Sequence, residues 1–540
     1  MRCLREPTLW PTRAMIEPAA RHALRVSPHF QRDGKAAVLD FMPWSRPAKI
    51  RPAALWRQMH PGPLDSISAP GQSRLKNNVL VFFGVALLVF LSRAPFLQAG
   101  YGNDSDAWRI ANAARHIGAT GRYEASRLPG YPVQELACSV IHGGGPLALN
   151  GATALLSAFG AAFFALSLRP LGCKDYVLAS LALAFTPVVF INSTNSMDYV
   201  WALAFIFASL YYALRRLPLA AGVFLGLAIG CRMTSALMFP PFCVMLAGGG
   251  GPRSHNHLRR LLVFSAGAFL LGGVAYVPVI LKYGLGFFTF YKGNYPSLPD
   301  VLGKATVAVW GLIGLLAIAG SLRSALLRRE VESSIPGSWS RRCDLAWAMA
   351  IVIYGVAYLR LPYQSGYLIP AVPFVLLLLG RILRRRLFLF VCFALLLSPF
   401  LLSVHAWEQS TEPPGERMAQ LDLLNHRIIL ALPGPIFFDR LVRLADMKYV
   451  AQVISAMKRL PPKSVIAAGW WLPELDASMV SGTPSKVDLV YLLRPSKARE
   501  YLARGFRLYY LRGIDKHNAE TYRVDLVKLG AAPLAVGQTE

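Results

Sequence analysis

Long apolar blocks recur along this chain, and they constrain its fold more than any motif does. A helix that crosses ~30 Å of hydrocarbon needs about 20 predominantly apolar residues. Blocks of that order occupy 77–95, 146–168, 175–193, 197–214, 261–281, 304–322, 344–360, 366–380 and 387–404, with a shorter pair at 218–231 and 233–247. Only 16% of the residues are charged, against about 25% in soluble domains. The pattern predicts an all-α polytopic membrane protein with about 11 transmembrane helices.

The formal net charge is +28. In a soluble chain that excess would point to nucleic acid. Here Lys and Arg fall in alternate connections: Arg74 and Lys76, Arg169 and Lys174, Arg215 and Arg216, Arg253 to Arg260, Arg323 to Arg342, and Arg381 to Arg386. That alternation is what the positive-inside rule requires, so no nucleic-acid partner is expected. It places the N-terminus in the cytoplasm and the C-terminus outside, with 96–145 as the first outer loop.

Residues 1–75 are rich in Arg, Pro and His and lack the apolar core of a signal peptide. They read as a disordered basic cytosolic tail, or as an overextension of a chain that starts downstream, for example at Met59. Residues 76–405 form the membrane domain. Residues 406–540 are more polar. Val450, Val453, Ile454, Met457 and Leu460 repeat at helical spacing until Pro461 and Pro462 stop them. Strand-like runs follow at 464–468, 487–493 and 507–511, with helical patterns at 496–503 and near 519–529. This predicts a small extracytoplasmic α/β domain, without a visible catalytic motif. The seven cysteines show neither metal-ligand spacing nor a disulfide framework, and read as small apolar fillers.

Candidate chemistry gathers in the first outer loop. Asp104 and Asp106, two residues apart, can act as a base and its orienting partner, or as ligands of a divalent cation. The plainer alternative is that Asp104 or Ser105 caps a helix over 106–116. Downstream, Pro129, Gly130 and Pro132 fix a turn beside Tyr131. Arg127 offers a planar fork for phosphate, and Tyr131 and Glu135, where the chain starts its return to the membrane, are further candidate substrate contacts. Asp198 and Arg232 sit at outer span ends, where each faces either a cavity or, by snorkelling, the interface. Tyr363 and Tyr367 form an interfacial belt or line a groove. Lys282 and Lys292 are further phosphate candidates. The segment His142–Gly143–Gly144–Gly145 imitates an esterase oxyanion loop, but no Gly-x-Ser-x-Gly elbow accompanies it, so it reads as a turn.

Four segments together resemble membrane glycosyltransferases of the C-type fold, the superfamily of protein mannosyltransferases and aminoarabinose transferases. They are GNDSDAW, SRLPGYP, MDYVWALAFIFASLYYALRR with AGVFLGLAIGCRMTSALMFPP, and YQSGYLIPAVPF. The resemblance covers about 77–405. It implies a sugar donor on a polyprenyl phosphate and a lipid, glycan or protein acceptor. It also implies single displacement with inversion, and an acidic base in the first outer loop. Carried over, Asp104 or Asp106 is the base, with Asp104 favoured, and Arg127, Arg232 and Lys292 hold the donor phosphate. Arg232 stands where many relatives have Lys. The expected location is a bacterial inner (plasma) membrane. A transporter or flippase of lipid-linked sugars is the alternative. It expects broken helices with polar groups near the midplane, whereas the ionisable residues here cluster at span ends.

Overall fold

The computed structural model describes residues 72–247, 255–288, 295–328, 341–407, 416–423, 426–479, 487–523 and 525–536. Nearly all of the expected N-terminal tail, 1–75, lies outside them. The chain begins with α1 (Gln72–Arg93), α2 (Ser105–Thr120), α3 (Pro132–Ile141), α4 (Gly145–Leu168), α5 (Tyr176–Phe185), α6 (Pro187–Asn192), α7 (Tyr199–Leu214) and α8 (Pro218–Cys231). A 3-10 turn (Met233–Met238) leads into α9 (Phe239–Leu246). Next come α10 (His255–Tyr283), α11 (Leu298–Ala305), α12 (Val307–Arg328), α13 (Arg341–Arg360), a 3-10 turn (Ser365–Ala371), α14 (Val372–Ile382) and α15 (Arg385–Leu397).

Among the described residues, six stretches are long and apolar enough to cross a membrane: Lys76–Phe96, Pro132–Leu168, His257–Phe287, Val307–Leu327, Arg341–Arg360 and Ser365–Ile382. Leu80, Leu270, Leu281, Leu316 and Val352 on these helices are each more than half exposed, an outward apolar surface suited to lipid. The chain is a multi-pass integral membrane protein. The remaining expected blocks coincide with shorter apolar helices, and their breaks have local causes. The block 175–193 divides where Thr186 turns extended (ψ 128°) and Pro187 opens a new helix, as proline favours. The pair 218–247 divides at Arg232, whose backbone is extended (φ −159°, ψ 114°). The helix α12 is interrupted at Gly311 (φ 68°).

The tightest helix pairing is α8 against α10. A Cβ on Gly222 would lie 2.3 Å from the Phe264 carbonyl oxygen, so only glycine permits this approach, a mode common between membrane helices.

After α15 the chain forms β1 (Ser403–Trp407), β2 (Glu416–Leu423) and β3 (His426–Leu432), an antiparallel sheet ordered β1-β3-β2. This sheet was not anticipated from the sequence. The long helix α16 (Pro435–Met457) follows, containing the helical period read at 450–460. Then come β4 (Ser464–Ala467), α17 (Leu472–Ser478), β5 (Val487–Val490), α18 (Pro495–Ala503), β6 (Arg507–Tyr510), α19 (Ile514–Tyr522) and β7 (Ala532–Pro533). The four strands form a parallel sheet ordered β5-β4-β6-β7. All three expected strands are present, and the last helix lies a few residues earlier than the expected 519–529. This α/β segment has its own core, built on Val453, Val465, Ile466, Leu508 and Ile514.

Candidate active site

The connection from α1 to α2 is pinned before it delivers its carboxylates. Asn150 Nδ2 on α4 donates to the carbonyls of Leu97 and Gly100, each at 2.8 Å. The Ser196 amide donates to the Tyr101 carbonyl at 2.8 Å, and Trp108 Nε1 to the Gly102 carbonyl at 2.9 Å. Asp104 then occupies the N-cap of α2, its Oδ1 accepting from the Asp106 amide at 2.9 Å. The capping reading of Asp104 is therefore observed, and only one oxygen is used for it. The other, Oδ2, accepts from Gln364 Nε2, while Gln364 Oε1 accepts from Tyr199 Oη. Burial first, and next the negative charge of Asp106, hold the Asp104 carboxyl above the ordinary carboxylate range.

The second half of the loop is fastened by Glu135 on α3, fully buried. Its Oε1 accepts from the Ser126 amide (2.7 Å) and hydroxyl (2.6 Å), and its Oε2 from Tyr123 Oη and the Tyr131 amide (3.1 Å). With four donors on two oxygens, this carboxylate folds the loop over 123–131. Lys282 and Tyr283 fasten it from α10. Lys282 Nζ donates to the Tyr123 carbonyl at 2.8 Å, and Tyr283 Oη accepts from the Ala125 amide at 3.1 Å. Lys282 is thus engaged with the loop backbone. The turn includes a cis Leu128–Pro129 peptide.

That folding carries Arg127 inward, where two guanidinium groups meet two carboxylates. Arg127 Nε lies 3.0 Å from Asp106 Oδ2, and Arg127 Nη2 donates to Asp198 Oδ1 at 2.7 Å. The other oxygen of Asp198 pairs with Arg232. Asp198 is fully buried, so it and Arg232 pair inward instead of snorkelling apart. Arg127 stacks over the Tyr131 ring (4.1 Å), and Arg232 over Tyr199 (4.2 Å) and Tyr367 (5.1 Å). Such rings stabilise a desolvated cation. One donor is left over: among the described residues, Arg127 Nη1 is buried without a hydrogen-bond partner.

The structure therefore brings Asp104, Asp106, Arg127, Tyr131, Asp198, Arg232 and Tyr367 into one cluster. Glu135 stands behind it as the fastener. Tyr363 lies half-buried beside Gln364 in the turn after α13, and Lys292 lies outside the described residues. Gln364 and Tyr199 were missed as site residues, although both stand inside segments singled out in the sequence. The available signal was a polar amide flanked by tyrosines between two apolar blocks. Among the described residues no group of three or more His, Cys, Asp or Glu side chains converges as for a metal ion.

A second anchorage, also missed, comes from the α/β segment. Arg443 on α16 is 1% exposed and donates to the Thr194 carbonyl (3.0 Å) and the Phe96 carbonyl (3.3 Å). On α2, Asn112 Nδ2 donates to the Pro473 carbonyl (2.9 Å), and Arg115 Nη2 to the Asp476 carbonyl (2.7 Å). The helix that begins after Asp104 is thus held along its α17 side, while Arg443 ties α16 to the connections at Phe96 and Thr194.

No family model and no curated protein matches the chain. Among solved structures, ArnT from Cupriavidus metallidurans bound to undecaprenyl phosphate is similar at 12% identity, with a TM-score of 0.46, over 86% of this chain and 90% of that one. The same protein in its apo state is similar at 13% identity, with a TM-score of 0.45, over 85% and 89% of the two chains.

Proposed function

We propose that this protein is an integral-membrane glycosyltransferase that moves a sugar from a polyprenyl-phosphate donor to an acceptor at the outer face of a bacterial inner membrane. The observation that carries the reading is unequal pairing inside one buried cluster. Asp106 and Asp198 each hold a guanidinium, whereas Asp104 makes no ion pair among the described residues. Arg127, in turn, keeps one buried N–H unpartnered. The site so offers a basic carboxylate and a cationic pocket side by side.

In this mechanism Asp104 Oδ2 takes the proton of an acceptor hydroxyl. The hydroxyl oxygen attacks the anomeric carbon as its bond to the donor phosphate breaks, so the configuration inverts. The polyprenyl phosphate leaves as an anion, and Arg127 Nη1 and Arg232 meet the charge that develops on it. Asp198 holds both cations together until the phosphate arrives. The lipid tail stays among the helices, which explains why the cluster lies where a loop meets span ends. We infer domain boundaries near 75 and 405, with the α/β segment acting as an outer clamp on α2.

The test is transfer by purified protein in liposomes, reading released polyprenyl phosphate. General-base loss costs about a hundred- to ten-thousand-fold, so Asp104→Asn should lose transfer on that scale while still binding donor. Undiminished transfer would sink the assignment. Translocation of intact lipid-linked sugar without release of the phosphate would support the flippase instead.

A further inference from the structure

At the carboxyl ends of its parallel strands, where an open sheet of this topology leaves a crevice, the α/β segment carries an exposed aromatic cluster that the proposed reaction has not used. Its sheet order, β5-β4-β6-β7, means that the chain leaves β4 toward one side and β6 toward the other. Ligands in open parallel sheets bind outside the carboxyl ends of strands at such a switch point. That point lies between β4 and β6, and aromatic residues follow the strand ends on its β4 side. Trp470 follows β4 and Tyr491 follows β5, and they are 39% and 40% exposed, although the same segment buries a full apolar core. His517 on α19 lies between them, 5.4 Å from the Trp470 ring and 6.0 Å from that of Tyr491. Tyr491 Oη is 3.4 Å from His517 Nε2. The floor is glycine on both sides. Gly469 sits at φ +54°, where a Cβ would strike Ile514 at 2.2 Å, and the Trp470 ring lies over Gly513.

The crevice adjoins α2, on which α17 packs. Arg109 on α2 pairs with Asp106 at 3.5 Å on one side. On the other it acts electrostatically on both Tyr491 and Glu474. Glu474, in the first turn of α17, is 6% exposed, and its Oε2 is buried without a hydrogen-bond partner among the described residues. A buried carboxyl oxygen left unsatisfied is costly unless something docks there.

We infer that this crevice is the acceptor site and that it takes a saccharide, a pyranose ring stacked on Trp470 and Tyr491, hydrogen-bonded by His517 and Glu474 and aimed past Arg109 toward Asp104. The inference rests on the glycosyltransferase reading and names its acceptor class. Flat aromatic faces suit the C–H face of a sugar, and the imidazole and carboxyl edges suit its hydroxyls. Burial first, and then the charge of Asp446, push the Glu474 carboxyl up to about 8. Near neutral pH it therefore carries a proton, and can both donate to and accept from a hydroxyl.

Two measurements on the full chain test this. The first labels the protein with 5-fluorotryptophan in a non-glycosidic detergent and identifies the Trp470 resonance by Trp470→Phe. Methyl glycosides of glucose, galactose, mannose and N-acetylglucosamine are titrated in parallel with a Ser/Thr-containing peptide. A saturable shift of Trp470 with at least one glycoside is expected, and none with the peptide. Silence toward every glycoside, or response to the peptide alone, overturns the inference. The second measures transfer kinetics. Loss of one aromatic stack is worth roughly ten-fold in binding, so Trp470→Ala should raise the acceptor KM by about that factor with the donor KM unchanged. Trp470→Phe should restore most of it. Wild-type transfer with an unchanged acceptor KM in Trp470→Ala defeats the crevice and spares the enzyme reading. A glycoside-dependent shift in a protein that consumes no donor with any acceptor defeats the enzyme reading and keeps the crevice as a saccharide site.

Discussion

Two arginines, Arg443 and Arg127, both have their side chains largely withdrawn from water, at 1% and 7% exposed, yet their surroundings differ in kind. Arg443 spends its donors on the Thr194 and Phe96 carbonyls, and its Nε lies 2.9 Å from Asp439, off the hydrogen-bond axis. Its partners are mainly backbone, fixed by helices already in place. Arg127 meets carboxylates from two separate elements, lies over a tyrosine ring, and leaves Nη1 unpartnered. The first arrangement joins α16 to the bundle. The second gathers charge that a bound phosphate can redistribute, because carboxylates and guanidiniums can exchange partners where fixed carbonyls cannot. Burial of a cation alone does not separate scaffold from site; the kind and mobility of its partners do.

The sharpest way to break this contrast is to truncate both. Arg443→Ala leaves Asp439 buried without its cation, and removing one partner of a buried pair costs about 3–5 kcal/mol. Denaturant unfolding in detergent should show a loss of that order, while the rate per folded molecule changes little. Arg127→Ala should do the reverse. Asp198 keeps Arg232 and Asp106 keeps Arg109, so the stability loss should be smaller than for Arg443→Ala. Transfer should fall about a hundred- to thousand-fold, the usual cost of removing one donor that meets developing charge. Equal stability losses with equal activities would erase the distinction.

A smaller effect sharpens the site side of the comparison. Gln364→Leu removes the amide that joins Tyr199 Oη to Asp104 Oδ2. A hydrogen-bonding partner left unsatisfied costs about 1–3 kcal/mol. Transfer should drop roughly ten-fold, by about one factor of 1.4 kcal/mol. Donor binding, measured by equilibrium titration with polyprenyl phosphate, should hold, since the guanidiniums are untouched.

The legibility of these features in the sequence followed the range of the interaction involved. The apolar blocks, the acidic pair and the Arg127 turn are local patterns, and they located the loop. The breaks at Thr186–Pro187 and Arg232 were marked by residue type, but whether each block forms one long helix or two short ones depends on tertiary packing. Gln364 was passed over because its partner Asp104 is 260 positions away, and nothing local distinguishes it from an interfacial turn residue. Arg443 was hidden for the same reason, its contacts lying 249 and 347 positions back. Glu135 was read as a substrate contact because a carboxylate beside a turn looks the same whether it faces a ligand or four of its own loop's donors.

The smallest expected effect bears on the proposed base, Asp104. Burial and the Asp106 charge hold the Asp104 carboxyl above its ordinary range, so the acidic limb of the transfer rate should lie above the ordinary carboxylate pKa near 4. A base works only when deprotonated, so activity should fall as pH drops through that raised value. Asp106→Asn removes one negative neighbour and also frees Arg127 from it. Both changes favour the ionised form of Asp104, and the limb should move toward lower pH. Its position, and not the absolute rate, is the readout, because the same substitution disturbs phosphate binding. A limb that stays in place, or that moves upward, would mean that the titrating base is not Asp104. If Asp106 were the base, its Asn variant would lose the limb together with the activity.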